Sequence, residues 1–223
     1  MNKVVYNLKK AKISHNVITR LPRYLRYLED LQDGGAERIS SGELGQLMGI
    51  TASQIRQDFS CFGEFGQQGY GYNVEMLMKA IKDILGINKG SSVVIIGAGN
   101  LGHALISNFP FNLFGFSLDA VFDVNKDLIG TQINGVDIYE TSRMEDYIKE
   151  NNTDVAILTM PGRVANAIAG RLIDAGIKGI WNFTNIDLKI KSSNVIVQNI
   201  HFSDSLLILN YYLSRNTEKE NLE

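Results

Sequence analysis

The run Gly97-Ala98-Gly99-Asn100-Leu101-Gly102 carries three glycines at G-x-G-x-x-G spacing, and the chemistry it offers is the holding of a pyrophosphate. In such a turn the first glycine takes a backbone shape closed to other residues. The second lets the main chain approach an anion, and the third lets the following helix pack closely on the preceding strand. The amides that open the helix then face the phosphates. Spacing alone is a weak signal, because glycines cluster in many loops, but the context here strengthens it. Val93-Val94-Ile95-Ile96 reads as a strand buried on both faces, and Leu101, Leu105 and Ile106 recur beyond the glycines at helical spacing. A second strand pattern, Leu118 to Phe122, ends in Asp123, about twenty residues past the last glycine, where an acid can bind an adenosine ribose. Thr159-Met160-Pro161 and Asn182-Phe183-Thr184 end two further strand patterns and are candidates for the other half of a dinucleotide. The competing reading is a glycine turn in a doubly wound sheet without a ligand, with Asp123 a solvated strand end.

A second chemistry, the reading of duplex DNA, is carried by residues 40–72. Ser40-Ser41-Gly42-Glu43 and Thr51-Ala52-Ser53-Gln54 both have capping-box spacing, and two short helices, Ser41 to Met48 and Ala52 to Cys61, are predicted to follow them. Joined by Gly49-Ile50-Thr51, they form a helix-turn-helix pattern with Leu44, Leu47, Ile50, Ile55 and Phe59 as its expected core. Ser53, Gln54, Arg56, Gln57 and Ser60 are left as candidates for the outer faces of the second helix, some directed into a major groove. Gly63 to Tyr72 is rich in glycine and aromatics without helical period. It is predicted to be a hairpin wing that brings Gln67, Gln68 and Tyr70 toward the same DNA. A helical hairpin in a small module with no DNA is the alternative.

Acid–base chemistry is poorly served. His103 follows the glycine loop, His201 precedes the last helix pattern, and Tyr6 and Lys10 have Y-x-x-x-K spacing only in a lysine-bearing arm far ahead of the cradle. One cysteine, Cys61, excludes an intrachain disulfide and a cysteine-rich zinc site, so no metal and no catalytic residue is expected. An NAD-dependent oxidoreductase with an accessory helical domain is the runner-up reading, and a nucleotide-regulated protein-binding module is a third.

The elements that must position these residues follow from length and pattern. The chain has 223 residues, 44% of them hydrophobic, ample for packed cores, and a formal net charge of -2. Residues 1–90 hold 12 Lys/Arg against 9 Asp/Glu and residues 91–223 hold 10 against 15, the asymmetry of a basic binding module joined to an acidic cofactor domain. Residues 1–16 read as a loose arm whose Lys9, Lys10 and Lys12 are more simply solvated than bound to phosphate. Leu21, Tyr24, Leu25, Leu28 and Leu31 mark a helix from Thr19, with Pro22 in its first turn and Gly34-Gly35 at its end. Asn73 caps a helix from Glu75 to Leu85, and residues 88–91 are the linker. Beyond Asp123, strands (136–139, 155–160, 179–183, 195–199) alternate with helices (142–149, 164–174), which predicts a mostly parallel sheet. The last helix, 204–214, is apolar nearly all round, and Leu206, Leu209 and Tyr212 are expected to pack on another subunit. No signal peptide or apolar run of about twenty residues is seen, which makes the cytoplasm the expected compartment.

The order of parts, with Arg20-Leu21-Pro22-Arg23-Tyr24-Leu25-Arg26-Tyr27-Leu28, Gln54-Ile55-Arg56-Gln57-Asp58-Phe59-Ser60, Phe62-Gly63-Glu64-Phe65-Gly66, Gly69-Tyr70-Gly71-Tyr72 and Ala175-Gly176-Ile177-Lys178-Gly179-Ile180, resembles the Rex family of bacterial NADH-sensing transcriptional repressors. The match runs from about Arg20 to Arg215. The resemblance implies an α/β chain. Residues 1–88 would be a winged helix-turn-helix DNA-binding domain, 89–202 a Rossmann-type NAD(H)-binding domain, 203–216 a dimerisation helix exchanged between subunits, and 217–223 a polar tail. It implies a homodimer that holds an A·T-rich inverted repeat of double-stranded DNA and releases it when NADH replaces NAD. It further implies that Gly97 to Gly102 hold the pyrophosphate and Asp123 the ribose. Thr159 to Pro161 would lie near the nicotinamide, which Phe202 approaches from the C-terminal segment.

Two departures stand out against the family pattern. Gln57 and Gln67-Gln68 replace cations, so a shallower salt dependence of DNA affinity is expected. Phe109 and His201 stand where relatives have a Tyr and an Asp that bond between subunits. Loss of that carboxylate beside a nicotinamide that is positive only when oxidised is expected to sharpen discrimination for NADH, unless the substitution is neutral packing.

Overall fold

A computed structural model of the chain describes residues 13–63, 66–67, 70–190 and 194–220. Lys9, Lys10, Lys12, Tyr6, Gln68 and the side chain of Gln67 lie outside the described residues. The chain divides into two compact units between Lys89 and Gly90.

The first unit opens with α1 (His15–Asp33), capped by Ser14, whose hydroxyl accepts from the Val17 amide. The helix therefore starts a turn earlier than the apolar pattern alone indicates, and Pro22 sits inside it rather than in its first turn. Pro22 is exposed and the carbonyl it leaves unbonded belongs to Ile18, itself 44% exposed, so water can serve that carbonyl. After the left-handed Gly35 comes β1 (Arg38–Ile39), a strand too short to show alternation in the sequence. α2 (Ser41–Met48) carries the full capping box: the Ser40 hydroxyl accepts from the Glu43 amide, and the Glu43 carboxylate accepts from the Ser40 amide. α3 (Ala52–Ser60) follows a turn at Gly49, whose φ of 67° suits glycine. The strands β2 (Gly66–Gln67) and β3 (Gly71–Asn73) complete an antiparallel sheet of order β1-β3-β2. Asn73 then caps α4 (Val74–Leu85), which buries Val74, Leu77, Met78 and Ile81 on one face. The core joins these residues to Leu21, Tyr24 and Leu28 of α1 and to Leu44, Ile55 and Phe59. Leu47, expected in that core, is 49% exposed, and Met48 takes the buried position on α2.

In the second unit, β4 (Ser91–Ile96), α5 (Asn100–Asn108) and β5 (Phe116–Asp123) form the strand–turn–helix–strand expected. β6 (Gln132–Ile133) and β7 (Val136–Glu140) pair as a hairpin across Asn134-Gly135, both at positive φ. Then come α6 (Met144–Asn151), β8 (Val155–Leu158), α7 (Gly162–Asp174), β9 (Gly179–Asn182), β10 (Ile196–Asn199) and α8 (Phe202–Glu220). The seven strands run β10-β9-β8-β4-β5-β7-β6, all parallel except β6. β4 is central, with Val93 to Ile96 buried, which is why its residues are β-branched without alternation. The chain turns to β5 on one side and reaches β8 on the other. The carboxyl end of β4 is thus the point where ligands bind in such sheets.

Candidate nucleotide cradle and DNA-reading helix

The glycines of the β4–α5 turn differ in what surrounds them. Gly97 has φ +106°, and a Cβ there would sit 3.0 Å from the Met160 amide nitrogen. A Cβ on Gly102 would lie 2.0 Å from the Gly97 carbonyl oxygen, so helix and turn meet at a distance only hydrogen allows. A Cβ on Gly99 meets nothing within 4 Å. That open side, at the uncapped start of α5, is a surface an anion could approach. Asn100 is exposed beside it, Leu101 is half-buried and Ala98 is buried.

The turn is tied to its neighbours by groups assigned from sequence to the ligand. Asp123 accepts from the Ala98 amide at 2.6 Å through Oδ2 and from the Asn125 amide at 2.8 Å through Oδ1. A carboxylate has about four acceptor sites, so capacity remains for a ribose hydroxyl. The Thr159 hydroxyl is within donor reach of two carbonyls, Gly97 at 2.7 Å and Ile96 at 3.1 Å, which makes it a brace for the turn. Met160 is partly buried against the core, and Pro161 is exposed at the start of α7.

Asn182, expected among the cofactor contacts, is corrected by the structure. It is 1% exposed and its amide is fully engaged. Nδ2 donates to the Ile186 carbonyl and to Asn199, while Oδ1 accepts from the amide and hydroxyl of Thr184. A polar chain continues from it: Asn199 donates to Asp187 at 3.0 Å, and His201 Nε2 stands 3.2 Å from the same carboxylate oxygen. His201, at the root of α8, is therefore paired within its own chain. A carboxylate placed there would face Asp187. Phe109 is likewise packed internally, against Phe111, Phe114 and Trp181 at ring-centroid distances of 4.8, 5.3 and 5.5 Å. Phe202 is 59% exposed, with its ring 5.9 Å from Phe183. Leu206, Leu209 and Tyr212 are 66, 54 and 61% exposed on α8.

On α3, Ser53, Arg56, Gln57 and Ser60 are exposed, and Arg56 Nη1 donates to Ser41 Oγ at 3.0 Å. Tyr70 is 70% exposed beside β3. Gln54 is half-buried at the edge of the expected outer face and departs from the capping box. Thr51 caps α3, but the Gln54 side chain turns away from it and donates through Nε2 to Asp58 at 2.8 Å. Asp58, missed by sequence reasoning, is 0% exposed. It also accepts from Arg20 Nε at 2.7 Å and Nη2 at 2.8 Å, and from the Tyr24 hydroxyl at 2.8 Å. Burial pushes its pKa up, but the bonds from Arg20, Tyr24 and Gln54 outweigh burial and hold it below the ordinary carboxylate value. Burial and the same carboxylate raise the Tyr24 phenol. The signal was legible: an acid between Ile55 and Phe59 on the apolar face of one helix, and Arg20 and Tyr24 one turn apart on another. Among the described residues no group of three or more His, Cys, Asp or Glu is placed to hold a metal.

Comparison with known proteins covers nearly the whole chain. Residues 88–186 match the family model described as "CoA binding domain", and residues 12–60 match "Putative DNA-binding protein N-terminus". A protein of Clostridium tetani named redox-sensing transcriptional repressor Rex is 48% identical, over 94% of this chain and 99% of its own. One of the same name from Thermoanaerobacter pseudethanolicus is 50% identical over 92% of each. The crystal structure of RSP in complex with beta-NAD+ and operator DNA superposes with a TM-score of 0.88 at 48% identity, over 96% of this chain and 98% of that one. RSP in complex with beta-NADH gives 0.87 at 45%, over 96% and 100%.

Proposed function

Because the chain belongs to the Rex family of redox-sensing transcriptional repressors, we propose that it holds operator DNA through its first unit and releases it when NADH replaces NAD+ in the β4–α5 cradle. It is a regulator and not an oxidoreductase, since its near full-length relatives are named repressors despite the dehydrogenase-like sheet. The observation that carries this reading is the presence in one chain of a glycine turn with an open face at Gly99 and a capped helix-turn-helix whose second helix leaves Arg56 and Gln57 exposed.

The residues fit a dinucleotide. Gly97 to Gly102 would accept the pyrophosphate, Asp123 the adenosine ribose with its spare acceptor sites, and Thr159 to Pro161 with Phe202 the nicotinamide end. The bound cofactor supplies a ring that is positive only when oxidised. The chain's own part is to convert occupancy into movement. Thr159 and Asp123 brace the turn from β8 and β5, so a shift there is transmitted to the strands on both sides of β4.

α8 supports a homodimer. Its seven large apolar side chains from Leu206 to Leu213 are 54–66% exposed in the single chain, the kind of contiguous apolar patch that marks an interaction surface. A second copy that exchanges the same helix covers it. We assign 1–88 to DNA binding, 89–202 to the cofactor, 203–216 to the dimer and 217–223 to a polar tail. The proposed compartment is the cytoplasm, where operator DNA and the nicotinamide pool meet. Among the described residues no helix is long and apolar enough to cross a membrane.

The test is fluorescence anisotropy on an A·T-rich inverted repeat titrated with NADH and with NAD+. Coupling of about 1–3 kcal/mol corresponds to a roughly 5- to 150-fold loss of affinity with NADH. Equal affinity with and without NADH overturns the proposal.

A further inference from the structure

We infer that Asp58 fixes the amide of Gln54 with its oxygen outward, so that Gln54 selects, once per half-site, a base whose major-groove edge carries an amino group, adenine or cytosine. The inference rests on the reading of α3 as the helix that enters the groove. Gln54 is the third residue of α3, near the end from which recognition helices reach base edges. Left to itself, a glutamine side chain can present either its donor or its acceptor, and can adapt to a base of either kind by turning its amide over.

Here that freedom is removed. Gln54 Nε2 donates to Asp58 Oδ1 at 2.8 Å, and the bonds from Arg20 and Tyr24 hold the same carboxylate in place as an acceptor. Turning the amide over would set Oε1 against a carboxylate oxygen, two acceptors in contact inside the protein. The nitrogen therefore faces inward. Oε1 has no partner among the described residues and is not sealed from solvent, which leaves it to face whatever approaches α3. Adenine N6 and cytosine N4 offer that oxygen a donor, whereas guanine and thymine offer it only acceptors on the same edge. Asp58 is then a positioning residue, and Gln54 discriminates by repulsion as well as attraction.

The experiment is binding-site selection from randomised duplexes with the full-length protein, wild type and Gln54→Met, each checked by thermal melting. The expected result is a wild-type motif with adenine or cytosine at one position of each half-site, flattened there and nowhere else in Gln54→Met. Replacing that base in the selected site by its analogue without the amino group, purine or 2-pyrimidinone, should weaken wild type roughly three- to tenfold. The same change should leave Gln54→Met unaffected. A motif that does not change in Gln54→Met, or an amino group whose removal costs wild type nothing, overturns the inference while the DNA-reading function stands. Absence of any motif overturns that function itself. If Gln54→Met fails to fold, the analogue series on wild type decides alone.

Discussion

Replacing Gly102 by alanine tests the cradle where its geometry is least forgiving. The new Cβ would lie 2.0 Å from the Gly97 carbonyl oxygen, 3.0 Å from the Gly97 carbonyl carbon and 3.0 Å from Thr159 Oγ1. Ordinary contact begins near 3.4 Å, so α5 must withdraw from the turn by more than an ångström, or the turn must open. Overpacking of this kind costs about 1–3 kcal/mol. Alanine's better helix propensity returns about 0.8–1.0 kcal/mol, which leaves a net loss of up to about 2 kcal/mol in the second unit. The ligand is weakened as well, because amides moved an ångström from a phosphate no longer align with it. NADH affinity, followed by cofactor fluorescence, should fall at least about tenfold, while DNA binding without NADH persists and no longer responds to it. Gly99→Ala is the control. Its Cβ meets nothing in the protein, so the melting temperature should hold or rise and any loss of NADH affinity reports contact with the ligand itself. A Gly102→Ala protein with unchanged melting temperature and unchanged NADH affinity would refute the assignment of this turn as the pyrophosphate cradle.

Three further outcomes follow from the same structure. Asp58→Ala strands Arg20 and the Tyr24 hydroxyl beside a buried gap and should destabilise the first unit by about 3–5 kcal/mol, seen as a separate early melting transition. The folded Asp58 pKa is depressed, so its contribution is complete above the ordinary carboxylate value and is lost as pH falls through the lowered one; acid unfolding of the first unit should therefore shift to higher pH on mutation. Leu206→Asp with Leu209→Asp should turn a dimer into a monomer by analytical ultracentrifugation, and a variant that still dimerises would move the interface elsewhere. Gln57→Lys, exposed on α3, should steepen the dependence of log affinity on log salt by about 0.9 if the new cation reaches a phosphate, and an unaltered slope would place residue 57 away from the backbone.

Much of this was legible in the sequence because it is local. A run of four β-branched residues, three glycines at fixed spacing, a capping box and the Asn73 cap each act within about ten residues, and each appears in the structure where the pattern placed it. The strands β1 and β6 were not legible, because two residues cannot display a period and their pairing is decided by β3 and β7. Neither was the start of α1, where Ser14 outweighs the position of Pro22.

Tertiary structure decided what Asn182 and Gln54 do. Asn182 ends a strand as a ligand contact would, yet its amide is consumed by Ile186, Thr184 and Asn199. Gln54 begins a helix as a capping partner would, yet Asp58 takes its donor. The physical reason is one of range. Apolar residues need only the correct face of an element, and periodicity sets that face. A hydrogen bond needs a particular atom at about 3 Å, and which neighbour supplies it is settled only when distant residues, Arg20 and Tyr24 for Asp58 and Asn199 for Asn182, are brought in by the finished fold.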